Sequence, residues 1–399
     1  MATQPLSVPV PEYPATGPVP TSVPNDVLDR ITRQLAATAE AYDRSGEFPA
    51  ANFDLLAREG LIALTVPPAL GGRGASLSEA LRVLGAVAKG EPSTALILFM
   101  TYHYHATPAR ARNWPAAIYE QLARDAVDGR GLIGGLRVEP ELGTPVRGGL
   151  PATVARRVGE GWAISGTKIY STGSTGLDWF SVWAKTDEEV PRVGNFLVRS
   201  DSAGIAIEAA WDHLGMRATV SHAVHFTDTP VPLDHAVDIR RPEEWSAATA
   251  DPSQTIWNAL AISTIYNGVA RAARDWLRGY LNDRVPSNLG ASLATLPRVQ
   301  EKFGEIEALL QVNRTLIENA AARTDAGDPP GGAEVNLVKY VTTANAIRAV
   351  EIGLELTGNP GISRKNPLER HYRDVLCSRI HSPQTDTILV AAGRAALGN

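Results

Sequence analysis

The chain has 399 residues, of which 44% are apolar, enough for two or three domains around a sizeable buried core. Thirty-eight basic residues face 43 acidic ones, for a net charge of −5, so nothing favours a nucleic-acid or anionic-membrane partner. One cysteine, Cys377, excludes an intrachain disulfide and reads as a packed structural thiol, and no Cys/His spacing suggests a metal site.

In chain order, residues 1–24 hold seven prolines with no apolar period and read as an extended arm. Asn25 is a plausible N-cap, followed by Val27, Leu28, Ile31 and Leu35 at helical spacing. Phe53–Gly60 and Leu77–Lys89 also read as helices, and the region 25–129 is expected to be all-helical. From 130 to 240 the pattern changes to short β runs. ATVARRV, the turn Gly159-Glu160-Gly161 and WAISGTKIYSTG predict a hairpin, followed by FSVWAKT, NFLVRS, GIAIEAA and AVHFTDT. A small β-barrel or sandwich is expected there. The region 241–399 returns to helices, roughly 253–283, 297–323, 333–357 and 368–397, a four-helix bundle. No run reaches the length and apolarity of a membrane span, and no signal peptide opens the chain, so a cytoplasmic location is expected.

Val138-Glu139-Pro140-Glu141-Leu142-Gly143-Thr144 is similar to a TEPxxGS loop, and Gly166 to Gly173, GTKIYSTG, to a GxKxWITN strand. The end of the chain, LTGNPGISRKNPLERHYRDVLCSRIHSPQTDTILVAAGRAALG, resembles GGxGY, ERxYRD and IYEGT in order. Together these resemble the acyl-CoA dehydrogenase superfamily over nearly the whole chain after the arm. The resemblance implies a mainly α fold with a central β domain. It implies a flavin held by Gly143, Thr144, Tyr170, Ser171 and Thr172, with Thr172 near the reactive nitrogen of the ring. Arg284 would hold a phosphate across a subunit interface in a homotetramer.

The departures are equally informative. The glutamate of IYEGT, which removes a substrate proton in the family, is replaced by Ser382, and the alternative base position is Asn258. A serine hydroxyl does not take such a proton unaided at neutral pH. Pro297 and Glu355 replace two amide anchors of the adenine half of FAD, which favours FMN over FAD. His381, eight residues after Arg373, matches the RNxRTxxxHxP pattern of flavin monooxygenases on the same fold, typified by dibenzothiophene monooxygenase. LFMTYHYH, with Tyr102 and His103, matches the helix that faces substrate there.

The resemblance therefore implies oxygenation of a small molecule, an organosulfur compound or an amine. Reduced flavin would come from a separate NAD(P)H-dependent reductase, because no GxGxxG opens a helix after a strand here. His381 and His103 are the catalytic candidates, since imidazole gives or takes a proton near neutrality. Tyr102, Asn258 and Ser382 are the substrate-side candidates. Two alternatives stay open: a dehydrogenase or oxidase whose base has moved to Asp386, one helical turn beyond Ser382, and a catalytically silent scaffold.

Overall fold

The structure is a computed structural model describing residues 21–111, 114–143, 149–245 and 252–398. The proline-rich arm up to residue 20 and Thr144 lie outside the described residues. Five helices come first: α1 (Asn25–Ser45), α2 (Ala50–Arg58), α3 (Leu77–Gly90), α4 (Pro92–Ala111) and α5 (Ala116–Val127). In α1 the expected stripe is the buried one, with Leu28, Ile31, Leu35 and Ala39 facing inward. Asn25 does not cap it. Pro24 takes that position, and the Asn25 amide oxygen accepts from Arg82 at 2.7 Å. The cap of α4 is Glu91, whose buried carboxylate accepts from the backbone N–H groups of Ser93 and Thr94 and from the Thr94 hydroxyl. These satisfy donors that the first helical turn leaves without partners.

Eight strands follow: β1 (Ile133–Leu136), β2 (Val154–Val158), β3 (Gly161–Ser171), β4 (Trp179–Thr186), β5 (Val193–Arg199), β6 (Ile205–Glu208), β7 (His222–Pro232) and β8 (Ala236–Arg240). They form one mixed sheet in the order β6-β7-β3-β2-β4-β5-β8, with β1 parallel to β4. The expected hairpin is β2–β3, paired from Val154↔Ser165 to Val158↔Gly161. The unexpected strands are β1 and β8. Two glycines in a four-residue run gave β1 no alternation to read.

The C-terminal region contains α6 (Pro252–Asp283), α7 (Pro297–Asp325), α8 (Gly332–Thr357), the single turn α9 (Asn359–Ile362), α10 (Leu368–Leu376) and α11 (Thr385–Leu397). Helix α6 is central, packed on α3, α4, α7, α8 and α10. Gly268 allows the close crossing with α3, because a Cβ there would stand 2.7 Å from the Ala88 Cβ. One expectation fails. The helix predicted over 368–397 is broken by a 3₁₀ turn, Cys377–Ile380, and a non-helical segment through Gln384. Pro383 has no backbone N–H to give a helix and disfavours helical geometry in the residue before it. Among the described residues no helix is long and apolar enough to cross a membrane, and no group of three or more His, Cys, Asp or Glu could hold a metal ion.

Candidate active site

The segment that breaks the last helix carries His381 and Ser382, and the bundle fastens it by its backbone. Lys339 on α8 donates to the carbonyls of His381 and Pro383, at 2.6 and 2.7 Å. Asn258 on α6 donates to the Ser382 carbonyl at 2.9 Å. Three successive carbonyls are thus tied to two helices. The Tyr266 hydroxyl, two turns along α6 from Asn258, meets His381 Nε2 at 2.6 Å. An eight-residue spacing puts both side chains on one face of the helix.

This geometry changes the expected chemistry of His381. Burial of the imidazole, and after it the Lys339 ammonium, push its pKa down to about 3. It is therefore a neutral imidazole at physiological pH and does not switch charge near neutrality as the sequence suggested. Burial also lowers Lys339, to about 8, and raises the Tyr266 phenol well above its ordinary value. The sequence reading missed both residues. A lysine in line with Val335, Val338 and Thr342, on the buried stripe of α8, was the available signal.

The β side is built around Glu139 and Lys168. Their ion pair, 2.6 Å long, is almost wholly buried, and Glu139 also accepts from Ala152 N, Thr153 N and the Thr153 hydroxyl. Burial alone would raise the Glu139 pKa, but hydrogen bonds from Lys168 and Thr153 outweigh it and hold the carboxylate below its ordinary value. The pair locks the turn ending at Gly143 to β3. Gly143 has φ 69° and bonds both ways with the Glu139 backbone, at 2.9 and 3.2 Å. Its glycine is required by that conformation. Among the described residues a Cβ there would meet nothing within 4 Å.

At the end of β3, Tyr170 adopts φ 55°, a strained backbone for a residue with a large side chain, and is 54% exposed. Its ring stands edge-on to Trp211 and His213, which stack on each other at 3.6 Å. Ser171 is fully buried, and its hydroxyl has no hydrogen-bond partner among the described residues. The Thr172 hydroxyl lies 3.2 Å from that of Ser221, which is in turn 2.9 Å from the Thr219 hydroxyl, so a chain of hydroxyls ends at Thr172. The loop behind it is also strained, with Met216 at φ 52° and Val220 at φ 41°. Buried Asp374 holds it through the Met216 N–H, at 2.7 Å. A partly exposed aromatic wall, an orphan hydroxyl, a second hydroxyl at Thr172 and a glycine turn fit a flat, polar-edged ring such as a flavin.

Other expected site residues are placed differently. Tyr102 is fully buried, packs in the N-terminal core and donates to the Leu61 carbonyl at 2.8 Å. His103 sits among Phe99 and Tyr104, with Nδ1 3.3 Å from the Thr107 hydroxyl. Arg284 lies at the far end of α6, 26 residues and about 39 Å from Asn258. It lines a groove of about 500 Å³ with Trp276, Tyr280 and Asn366. Glu355 pairs with Arg348 at 2.6 Å, which offsets the charge expected to repel a pyrophosphate. Asp386 opens α11, exposed, accepting from the Thr387 N–H. The break in the helix removes the one-turn relation to Ser382 on which its candidacy as a base rested. Burial pushes the Cys377 thiol up to about 12.

Three family models match along the chain: the acyl-CoA dehydrogenase N-terminal domain over residues 25–111, the middle domain over 138–229 and the C-terminal domain over 254–387. YdbM of Bacillus subtilis strain 168, an acyl-CoA dehydrogenase by name, is 30% identical over 91% of this chain and 93% of its own length. The amino sugar nitrososynthase RubN8 of Streptomyces rubradiris is 28% identical over 90% of this chain and 85% of its own. The solved structure of KijD3 in complex with FMN and dTDP-3-amino-2,3,6-trideoxy-4-keto-3-methyl-D-glucose is 27% identical, with a TM-score of 0.81 over 97% of this chain and 95% of that one. The chain therefore belongs to the acyl-CoA dehydrogenase family and is a flavin-dependent oxidoreductase of that fold.

Proposed function

We propose that this protein is a two-component monooxygenase that oxygenates an amine or a sulfur atom of a small molecule. The observation that carries the reading is the fastened segment 381–383. It presents a neutral imidazole and a serine where dehydrogenation needs a carboxylate, and Asn258, at the other base position, is engaged on the Ser382 carbonyl. Likeness to a nitrososynthase, and to a structure holding FMN and an amino sugar, supports the nitrogen side of the choice. The competing reading, desaturation of an acyl thioester, draws on the likeness to YdbM. It has no carboxylate on the segment to work with.

Bound reduced flavin would supply two electrons to O2, one oxygen atom entering the substrate and the other leaving as water. The chain's own residues hold and shield that chemistry. Tyr170, Trp211 and His213 form an apolar wall that keeps water off the ring, and Thr172 offers its hydroxyl proton to the ring edge. His381 provides a polar group on the substrate side that cannot become a cation there. Reduced FMN or FAD would come from a separate NAD(P)H-dependent reductase, and Arg284 of a second copy in a homotetramer would hold its phosphate.

The test is an oxygen-consumption assay with a flavin reductase, NADH and a panel of small amines and sulfides, run with FMN and with FAD. Oxygenated product is expected from at least one amine, with hydrogen peroxide falling by the same amount, and FMN supporting it at least as well as FAD. No acyl-CoA thioester should be desaturated with an artificial electron acceptor. Robust turnover on even one thioester would sink the reading.

A further inference from the structure

The contact between Tyr266 and His381 decides more than position. Tyr266 is fully buried, and its hydroxyl has one hydrogen-bond partner among the described residues, His381 Nε2. If Nε2 carried a proton, the phenol would have to accept it, and its own buried O–H would be left without an acceptor. An unmade buried hydrogen bond shifts the tautomer ratio by a factor of roughly 5 to 150. With Nε2 bare, the phenol donates to it and both groups are satisfied. An imidazolium would lose the same bond and would also face the Lys339 ammonium, whose hydrogen atoms already serve the His381 and Pro383 carbonyls. The other titratable groups facing this pair are Asp374 and Cys377, near Tyr266.

We propose that Tyr266 is the positioning residue that fixes His381 in the Nδ1–H tautomer, with Lys339 holding its backbone, so that Nδ1–H is the donor offered to substrate oxygen chemistry. The one hydrogen bond of the His381 ring to the described residues is at Nε2, and the residue is only partly buried, so Nδ1 is left to a ligand or to solvent. Its use toward substrate rests on the monooxygenase reading; the tautomer does not.

The experiment labels the histidine rings of the resting, flavin-free protein with 15N and reads the ring nitrogens by NMR between pH 8 and pH 5, assigning His381 from a His381→Gln variant. Expected is a protonated Nδ1 and a bare Nε2 that do not titrate over this range. In Tyr266→Phe the two tautomers should mix, and the fraction of reduced flavin coupled to product should fall about tenfold. In Lys339→Met coupling should fall while the tautomer stays. A protonated Nε2 in the unaltered protein would overturn the inference, as would a Tyr266→Phe protein with unchanged ring signals. The ring signals decide the tautomer even if Tyr266→Phe does not fold, or if no substrate of the intact protein is ever oxygenated.

Discussion

At the scale of single residues, the group that most constrains the flavin side is Lys168. Its ammonium is completely buried and held by Glu139 and by the Trp183 carbonyl, so removing it strands a carboxylate that only two backbone N–H groups and a hydroxyl still satisfy. Breaking such a pair from one side costs about 3–5 kcal/mol. Lys168→Met should therefore lower the urea midpoint substantially and weaken flavin binding with it, because the Gly143 turn is paired with the backbone of the same Glu139. A variant of unchanged stability would show that the pair is dispensable. The sequence singled out Gly143 and Thr172 because each sits in a run of characteristic neighbours. Lys168 and Lys339 stayed obscure because their meaning lies in partners 29 and 42 positions away.

Among elements, α4 and the last helix show how far local chemistry reaches. Helix α4 begins at a proline and depends on Glu91 for its first donors, with three hydrogen bonds between 2.6 and 3.0 Å. Loss of a cap of this kind costs about 1–2 kcal/mol. Glu91→Ala should destabilise by that amount in urea unfolding, with Glu91→Gln losing less, and equal stabilities would remove the cap from the account. The long helices α6, α7 and α8 were legible from apolar spacing almost to the residue. The C-terminal helix was not, although Pro383 stood in the sequence as the reason. Its apolar residues continue on both sides of the break, so periodicity alone carries the eye across it.

For the molecule as a whole, burial of histidines sets an acid limit. His371 and His381 are pushed down to about 3 and His105 to about 4, in each case mainly by burial. In the unfolded chain they titrate near 6.5. Each therefore contributes stability that is present above about pH 6.5 and lost as pH falls. Asp374, raised to about 7 by burial, works in the opposite direction over the same range. Three groups against one leave a net uptake of about two protons on unfolding, at most about 2.7 kcal/mol per pH unit. Urea midpoints should fall steadily from pH 7 to pH 5, and a flat profile would show that these imidazoles reach water. The three tied carbonyls carry a different consequence. Because Lys339 and Asn258 grip the main chain, these three ties do not depend on which side chains stand at 381 and 382, and the Tyr266 bond to the His381 ring is added to them. The bundle acts as a holder into which different reactive groups can be set without retooling the rest, so one architecture can serve carboxylate chemistry or imidazole chemistry through a change of two residues' worth of tool.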